Sequence, residues 1–551
     1  MKSFVKENFP ILIIILILFS YLGIKALDEN GWDGWGFGSA QTLMSSEYWA
    51  KDGFAKNYFL FIPSSYSKLI KYLDEPEFRN RPIDDFDGAL KRNRIYYTHY
   101  PPLYLVPYAL MAKIGIRNRA AFRIFPLLIS LSALFLFYLF IKSISTRAIA
   151  IIAFIYYGFS VTFLNYADSI STQPLTIFFT FLILVLSVLA SRNFENPKIY
   201  LRYNLAIWGA YFALSLSSYD ATFFVFAWLV LYDAILLKKL LWRKWMFFAS
   251  APVLGFALQL LQNAWYLGWA GAMRDTYVSY AGRAIGSFKN FVLGLTMPFV
   301  SMTSVKTVFI FKKTAVALIS GTVILGTLWK FRQRIGIDFK YFKIIFILAV
   351  AAAIQPFFIN ITGWWPYQGV LTAPFWGLLI GASSVFIINA LKNKELNIHK
   401  TFSFWILMAA VLIFWLAQFY GTFVYAKDWP NNRPDQKIIE FSKTIKTLYP
   451  NKEKMAFRIL PKSPNWKSQF PTFNFEYYLG MPKVDFANTQ DLLADFWWFR
   501  NISEYPFYSF IIAENKSDIE KIRQKLIAKN LKNISSITEI QGQYLFTVSP
   551  K

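Results

Sequence analysis

Apolar stretches of about 17–25 residues recur along the chain, and each can cross a bilayer core of about 30 Å as a helix. They fall at 9–27 and at about 120–141, 148–165, 172–190, 203–218, 221–237, 246–268, 307–329, 344–361, 368–391 and 402–425. Charged residues make up only 16% of the sequence, against roughly 25% in soluble globular chains. The pattern predicts a polytopic, all-α membrane domain. With no cysteine, disulfides, thiolate metal sites and cysteine nucleophiles are excluded. Two histidines, His99 and His399, leave little room for an imidazole metal site.

The formal net charge of +26 would suggest a nucleic-acid partner in a soluble protein. Here the basic residues sort by loop instead, and no nucleic acid is expected. Lys142/Arg147, Arg192/Lys198/Arg202, Lys238/Lys239/Arg243/Lys244, Lys330/Arg332/Arg334/Lys340/Lys343 and Lys392/Lys394/Lys400 occupy one set of connections. The alternating connections 166–171, 219–220 and 362–367 contain no Lys or Arg. The positive-inside rule makes the basic set cytoplasmic, with a cytoplasmic N-terminus and an uncleaved first span. The alternation requires 101–116 to be an interfacial or re-entrant helix, because a crossing there would invert every later loop. About eleven spans result, or thirteen if 101–116 and 290–306 both insert. The expected setting is an inner or plasma membrane of prokaryotic type.

Two large pieces then lie outside the cytoplasm: the first loop, 28–119, and the tail 427–551, which follows a membrane domain spanning 1–426. The loop 269–306 is a second, smaller outer loop. The tail alternates helical and extended patterns: helical at 434–448, 473–479, 489–499 and 517–529, extended at 455–460, 483–486 and 509–513. It closes on a hairpin of 534–540 with 543–548 around Gln541-Gly542. That is the signature of a small α/β domain.

Ionisable groups cluster at the outer span ends, where an all-apolar helix needs none. Asp28, Glu29 and Asp33 follow the first span, and Asp168 follows the third. Asp220 lies between the fifth and sixth spans, and Arg274, Asp275, Arg283 and Lys289 occupy 269–306. Carboxylates beside cations suit transfer of a sugar from a lipid phosphate, since an acceptor hydroxyl needs a base and a departing phosphate needs positive charge. The bland alternative is that these groups only solvate helix ends. Trp32, Trp35, Tyr96, Tyr97 and Tyr100 suit either sugar stacking or an interfacial aromatic belt.

Several motifs carry a resemblance. Asp33-Gly34-Trp35-Gly36-Phe37-Gly38 resembles the Asp-Glu-x-x-Phe-Gly of protein O-mannosyltransferases. Tyr97-Thr98-His99-Tyr100-Pro101-Pro102-Leu103 resembles the His-Pro-Pro-Leu and Lys-Pro-Pro-Leu motifs of those enzymes and of aminoarabinose transferases. Arg123-Ile124-Phe125-Pro126-Leu127 is similar to their Arg-Leu-Pro, and Thr172-Gln173-Pro174-Leu175-Thr176 to their Asp-x-Pro-Leu-Thr. Order and spacing over residues 1–270 resemble the GT-C superfamily of polyprenyl-phosphate-sugar transferases. Gly34 stands where the family has Glu, and Thr172 where it has Asp. Asp168, four residues earlier, shares a helical face with Thr172 if that stretch is helical; it either supplies the displaced charge or caps the following helix.

The resemblance implies an inverting transfer from a polyprenyl-phosphate donor to a hydroxyl on a lipid, glycan or protein acceptor. It implies Asp33 as general base, with Asp168 as second acid. Arg283, Lys289 and Arg274 would hold the donor phosphate, with His99 either bonding it or shaping the loop. Trp32, Trp35, Tyr97 and Tyr100 would line the substrate. No cofactor is firmly implied, and metal independence is favoured over a divalent ion. The rival reading, a transporter or flippase for a lipid-linked sugar or envelope polymer, would call for mid-membrane ionisable residues and paired repeats, neither of which stands out.

Overall fold

The computed structural model describes residues 2–28, 36–64, 95–98, 101–281, 310–332, 339–358, 373–392, 398–428, 435–450, 454–459, 479, 483–486, 489–494, 508–528, 531 and 533–550. Helices stand at all eleven positions of the expected spans. In chain order, α1 (Lys2–Leu27) leads to α2 (Gly36–Asp52), an antiparallel pair β1 (Phe61–Ser64) and β2 (Ile95–Tyr97), and α3 (Leu105–Lys113). Next come α4 (Arg119–Ile144), α5 (Arg147–Gly158), α6 (Val161–Tyr166), α7 (Gln173–Arg192) and α8 (Pro197–Ser215). Then follow α9 (Asp220–Leu231), α10 (Trp242–Leu267), α11 (Trp269–Ala281), α12 (Ile310–Phe331), α13 (Phe339–Phe358), α14 (Ala373–Lys392) and α15 (Phe402–Asp428).

Among the described residues, six helices are long and apolar enough to cross a membrane: Glu7–Leu27, Arg119–Ile144, Gln173–Arg192, Trp242–Leu267, Ala373–Lys392 and Phe402–Lys427. This is a multi-pass membrane protein. Two of the other expected spans are interrupted, for identifiable reasons. The stretch 148–165 breaks at Phe159–Ser160, where the Ser160 hydroxyl accepts from the Phe163 N–H at 3.1 Å and starts α6 as a new helix. The stretch 221–237 passes from α9 into a π-turn at Tyr232–Leu236. At nine residues, α3 is about 13.5 Å long, too short to cross a bilayer. It packs instead between α2 and α4, with Tyr108 and Ala112 beside Leu43 of α2 and the Tyr108 ring against Phe122 and Phe125 of α4. The stretch 290–306 lies outside the described residues.

Apolar burial drives little helix association in lipid, so close packing carries more of the load. One close contact joins α14 to α5 and α4. A Cβ added at Gly381 would lie 2.8 Å from the Ile149 backbone oxygen, and one at Gly377 would lie 2.8 Å from the Phe137 ring. The Ile149 oxygen belongs to a helix backbone and has no rotamer to relieve the clash. Gly381→Ala is therefore expected to destabilise the bundle by about 1–3 kcal/mol, read as a lower thermal midpoint in detergent; an unchanged midpoint would show that α5 shifts freely.

The tail forms α16 (Asp435–Leu448), β3 (Lys454–Ile459), β4 (Lys483–Phe486), α17 (Thr489–Ala494), β5 (Tyr508–Ala513), α18 (Lys516–Ala528), β6 (Thr538–Ile540) and β7 (Gln543–Val548). Among the described residues its strands lie in the order β4-β3-β5-β7-β6. β3 pairs in parallel with β4 and β5, while β7 runs antiparallel to β5 and β6. The turn uses Gln541 at φ 52° and Gly542 at φ 74°, the doubly left-handed geometry that two-residue hairpins favour. Ile438, Phe441 and Ile445 of α16 bury against Ala456, Phe510, Ile512 and Leu545. Ile534 contributes only an isolated bridge to Val548, so β6 is shorter than expected. Residues 473–478 of the expected helix at 473–479, and 495–499 of that at 489–499, lie outside the described residues.

Candidate functional site at one end of the bundle

Three charged side chains meet where α1 ends and α4 begins, and all are within 1% of complete burial. Lys25, in the last turn of α1, points inward. Its Nζ donates to Asp168 Oδ1 at 2.7 Å, to Leu164 O at 2.9 Å and to Asn165 O at 3.0 Å. The two carbonyls belong to the last turn of α6, which has no intrahelical donors left for them; the ammonium spends all three of its protons there. From α4, Arg123 donates Nε to Asp168 Oδ2 at 2.9 Å and Nη2 to the same oxygen. Burial alone would raise the Asp168 carboxyl, but Arg123 and Lys25 outweigh it and hold it below the usual carboxylate range.

The same guanidinium reaches further. Arg123 Nη1 donates to the Asp28 carbonyl at 3.2 Å, and Arg119 Nη2 approaches that oxygen at 3.5 Å. The backbone leaving α1 toward 29–35 is thus pinned to the start of α4.

The first loop is anchored to the same end. The Thr172 hydroxyl donates to Ser217 O, and the Leu103 N–H donates to Leu216 O at 3.0 Å. Thr98 bridges two helices: its hydroxyl donates to Asp275 Oδ2 at 2.7 Å, and its carbonyl accepts from Asn263 Nδ2 at 3.0 Å. Gln259 Nε2 contributes a longer bond to that carbonyl at 3.4 Å. On the inner side of the loop, Ser45 Oγ donates to Ile62 O at 2.7 Å and Trp49 Nε1 to Leu60 O at 2.9 Å, which docks β1 on α2. Tyr58 and Tyr96 pack on Tyr266 at ring-centroid separations of 5.2 and 4.8 Å. Residues far apart in sequence therefore converge on one end of the bundle.

No family model matches the chain, and no curated protein matches it in sequence. Solved structures do match it in shape. ArnT from Cupriavidus metallidurans bound to undecaprenyl phosphate aligns with a TM-score of 0.57 at 11% identity, covering 98% of each chain. The same protein in the apo state gives 0.50 at 10% identity, again over 98% of each chain. The oligosaccharyltransferase of Archaeoglobus fulgidus in the apo form gives 0.50 at 12% identity, over 91% of this chain and 69% of that one. The chain shares the fold of these structures.

Within this fold, the residues expected at the site divide into two groups. Asp168, Tyr97 and Arg274 are described: Asp168 is buried as above, Tyr97 is half-buried on β2, and Arg274 is exposed on α11. Trp32, Asp33, Trp35, His99, Tyr100, Arg283 and Lys289 lie outside the described residues. The helical-face argument that linked Asp168 to Thr172 does not apply, because 167–172 is a non-helical connection between α6 and α7. Capping does not apply either, since the Asp168 oxygens accept from Lys25 and Arg123 and α7 starts only at Gln173. Among the described residues no three His, Asp or Glu side chains form a group able to hold a metal ion. Sequence reasoning missed Lys25, and a signal was there: it is a lone cation in the last turn of an apolar span, at the end that the charge rule assigns to the outside.

Proposed function

We propose that this GT-C protein is a glycosyltransferase that moves a sugar from a polyprenyl-phosphate donor to an acceptor hydroxyl, with inversion and Asp33 as general base. The observation that carries this reading is the likeness of fold over essentially the whole chain to ArnT, whose structure was solved with undecaprenyl phosphate. The convergence of Lys25, Asp28, Arg123 and Asp168 supports it. Asp33 follows Asp28 by five residues, so covalent geometry keeps it within about 18 Å of that anchor. Sidedness rests on charge: Lys142, Arg192, Lys244 and Lys340 belong to the connections at the other end, which the positive-inside rule makes cytoplasmic. The charged cluster lies at a helix end rather than mid-helix, unlike a carrier's ion relay.

In this scheme the acceptor oxygen loses its proton to the Asp33 carboxylate as it attacks C1 of the sugar. The new C1–O bond forms on the face opposite the phosphate, the old C1–O bond breaks, and polyprenyl phosphate leaves with the electron pair. No nucleotide is needed, because the phosphate ester is already activated. Arg274, Arg283 and Lys289 carry positive charge for the departing phosphate. Asp168, saturated by Lys25 and Arg123, is a positioning residue: it fixes Arg123, which fixes the Asp28 carbonyl and so the entry to the segment bearing Asp33. His99, next in sequence to the anchored Thr98, either bonds the donor phosphate or shapes the loop, and Trp32, Trp35, Tyr97 and Tyr100 line the substrate. Membrane lipid surrounds the bundle, and the acceptor is a lipid, glycan or protein hydroxyl.

Arg283→Ala and Lys289→Ala are expected to raise the donor KM about tenfold, the worth of one charge-assisted bond, while the acceptor KM holds. Equal changes in both would remove these side chains from the donor site. A photoreactive polyprenyl phosphate is expected to label peptides within 29–64, 95–104 and 269–289 of the purified protein. Labelling confined to other segments would contradict the assignment.

A further inference from the structure

At the opposite end of α7 from Asp168, about 29 Å along the helix, lies a cavity of about 380 Å³. Its volume falls in the range of roughly 300–1,000 Å³ typical of small-molecule sites. Four elements build it. Ser143 and Ile144 come from the last turn of α4, Val188, Ser191 and Arg192 from the last turns of α7, and Tyr232, Leu236 and Leu237 from and just after the π-turn that follows α9. Lys340 and Lys343 come from the first turn of α13.

The described lining combines three cations with hydroxyl donors over an apolar floor. Asp233, beside the lining Tyr232, accepts from Lys244 Nζ at 3.0 Å and from Trp245 Nε1 at 3.0 Å. The Tyr232 hydroxyl lies 3.0 Å from Ser191 Oγ, and Arg192 donates to the Ser143 carbonyl. The wall is therefore preformed rather than gathered from loose surface chains. π-turns inside α-helices concentrate at functional sites. The N-terminus of α13 adds the partial positive charge of its free N–H groups.

From this geometry we infer that the cavity binds a phosphate-ester anion, such as an anionic phospholipid headgroup or a soluble glycerol phosphate presents. Lys340, Lys343 and Arg192 take the charge, Ser191 and Tyr232 bond ester or glycerol oxygens, and Ile144, Val188, Leu236 and Leu237 cover the glycerol carbons. The lipid source has the better fit. The cavity opens at the basic end of the bundle, which faces the leaflet rich in anionic lipid if that end is cytoplasmic, and Leu240 and Trp242 stand exposed nearby. The site is independent of the donor site at the Asp168 end.

The test uses the full-length protein, delipidated in neutral detergent, and reads its thermal midpoint against added ligand. Phosphatidylglycerol is expected to raise the midpoint and phosphatidylcholine with the same acyl chains to leave it unchanged. Lys340→Gln with Lys343→Gln should require about thirtyfold more phosphatidylglycerol for the same rise, at the energy of a juxtamembrane lysine contact for each. Lys340→Arg with Lys343→Arg should retain the response. Glycerol 1-phosphate reproducing the rise at equal concentration upholds the phosphate site and assigns it a soluble occupant. Equal responses to both phospholipids in the wild type, or a response in the glutamine pair equal to that of the wild type, overturns the inference, as does no response to any of the three.

Discussion

Asp33→Asn is expected to lower the turnover of a polyprenyl-phosphate sugar by about 10²–10⁴-fold, the usual contribution of a positioned general base, while expression and membrane insertion stay as in the wild type. The amide keeps the size and most of the hydrogen-bonding surface of the carboxylate but cannot accept the acceptor's proton. The loss should therefore fall on kcat and leave the donor KM nearly unchanged. Steady-state kinetics with labelled donor decides the matter. Full turnover in the variant would move the base elsewhere, and a large rise in donor KM with kcat intact would make Asp33 a binding residue.

Asp168→Ala is the second large effect, and it falls on stability as well as activity. Removing the carboxylate leaves the Lys25 ammonium and the Arg123 guanidinium facing each other, both 1% exposed. Breaking one side of a buried ion pair in this way costs about 3–5 kcal/mol, so the thermal midpoint should fall sharply. Lys25→Met should be milder, because Asp168 keeps Arg123 and the methionine replaces most of the lost volume. The sign of the pH dependence follows from the depressed Asp168 carboxyl. Its stabilisation is fully present above the ordinary aspartate pKa of about 3.9 and is lost as the pH falls through the lower folded value. The wild-type midpoint should therefore show no Asp168-dependent change at neutral pH and drop in acid. Thermal scans between neutral and strongly acid pH, on wild type and Asp168→Ala, read the difference directly: a drop of equal size in both would exclude Asp168 as its source.

The helices of the membrane domain were legible because lipid leaves an apolar run little choice: its backbone must pair internally, and length alone then marks the element. The strands of the tail were legible for a different reason. Alternating or continuous β-branched and aromatic residues, punctuated by Gln541-Gly542, have a period that no helix shares. β4 and β7 fall at their expected residues, and β3 and β5 within one residue of theirs. What could not be read was contact between distant segments. β1 and β2 pair Phe61 with Tyr97, and no local pattern announces a partner so far along the chain.

The charged cluster illustrates the same limit. Asp168 stood out as an acid at a span end and Arg123 as part of a motif, yet neither showed that it faced the other, or that Lys25 would reach both Asp168 and the α6 carbonyls. The i, i+4 argument assumed a helix through 168–172, and the chain instead breaks there. That break is what lets the Asp168 side chain turn toward α1 and α4. The non-helical ends of α6 and α7 thus do more for the site than any helical face.

Purified protein incubated with radiolabelled polyprenyl-phosphate sugars and hydroxyl acceptors tests the central claim most directly. The account predicts that a donor of this class is consumed, that polyprenyl phosphate and glycosylated acceptor appear in equal amounts, and that the anomeric configuration at C1 is inverted. Release of labelled sugar with retained configuration would contradict it, and so would transport of the intact donor across a vesicle membrane with the phosphate–sugar bond unbroken.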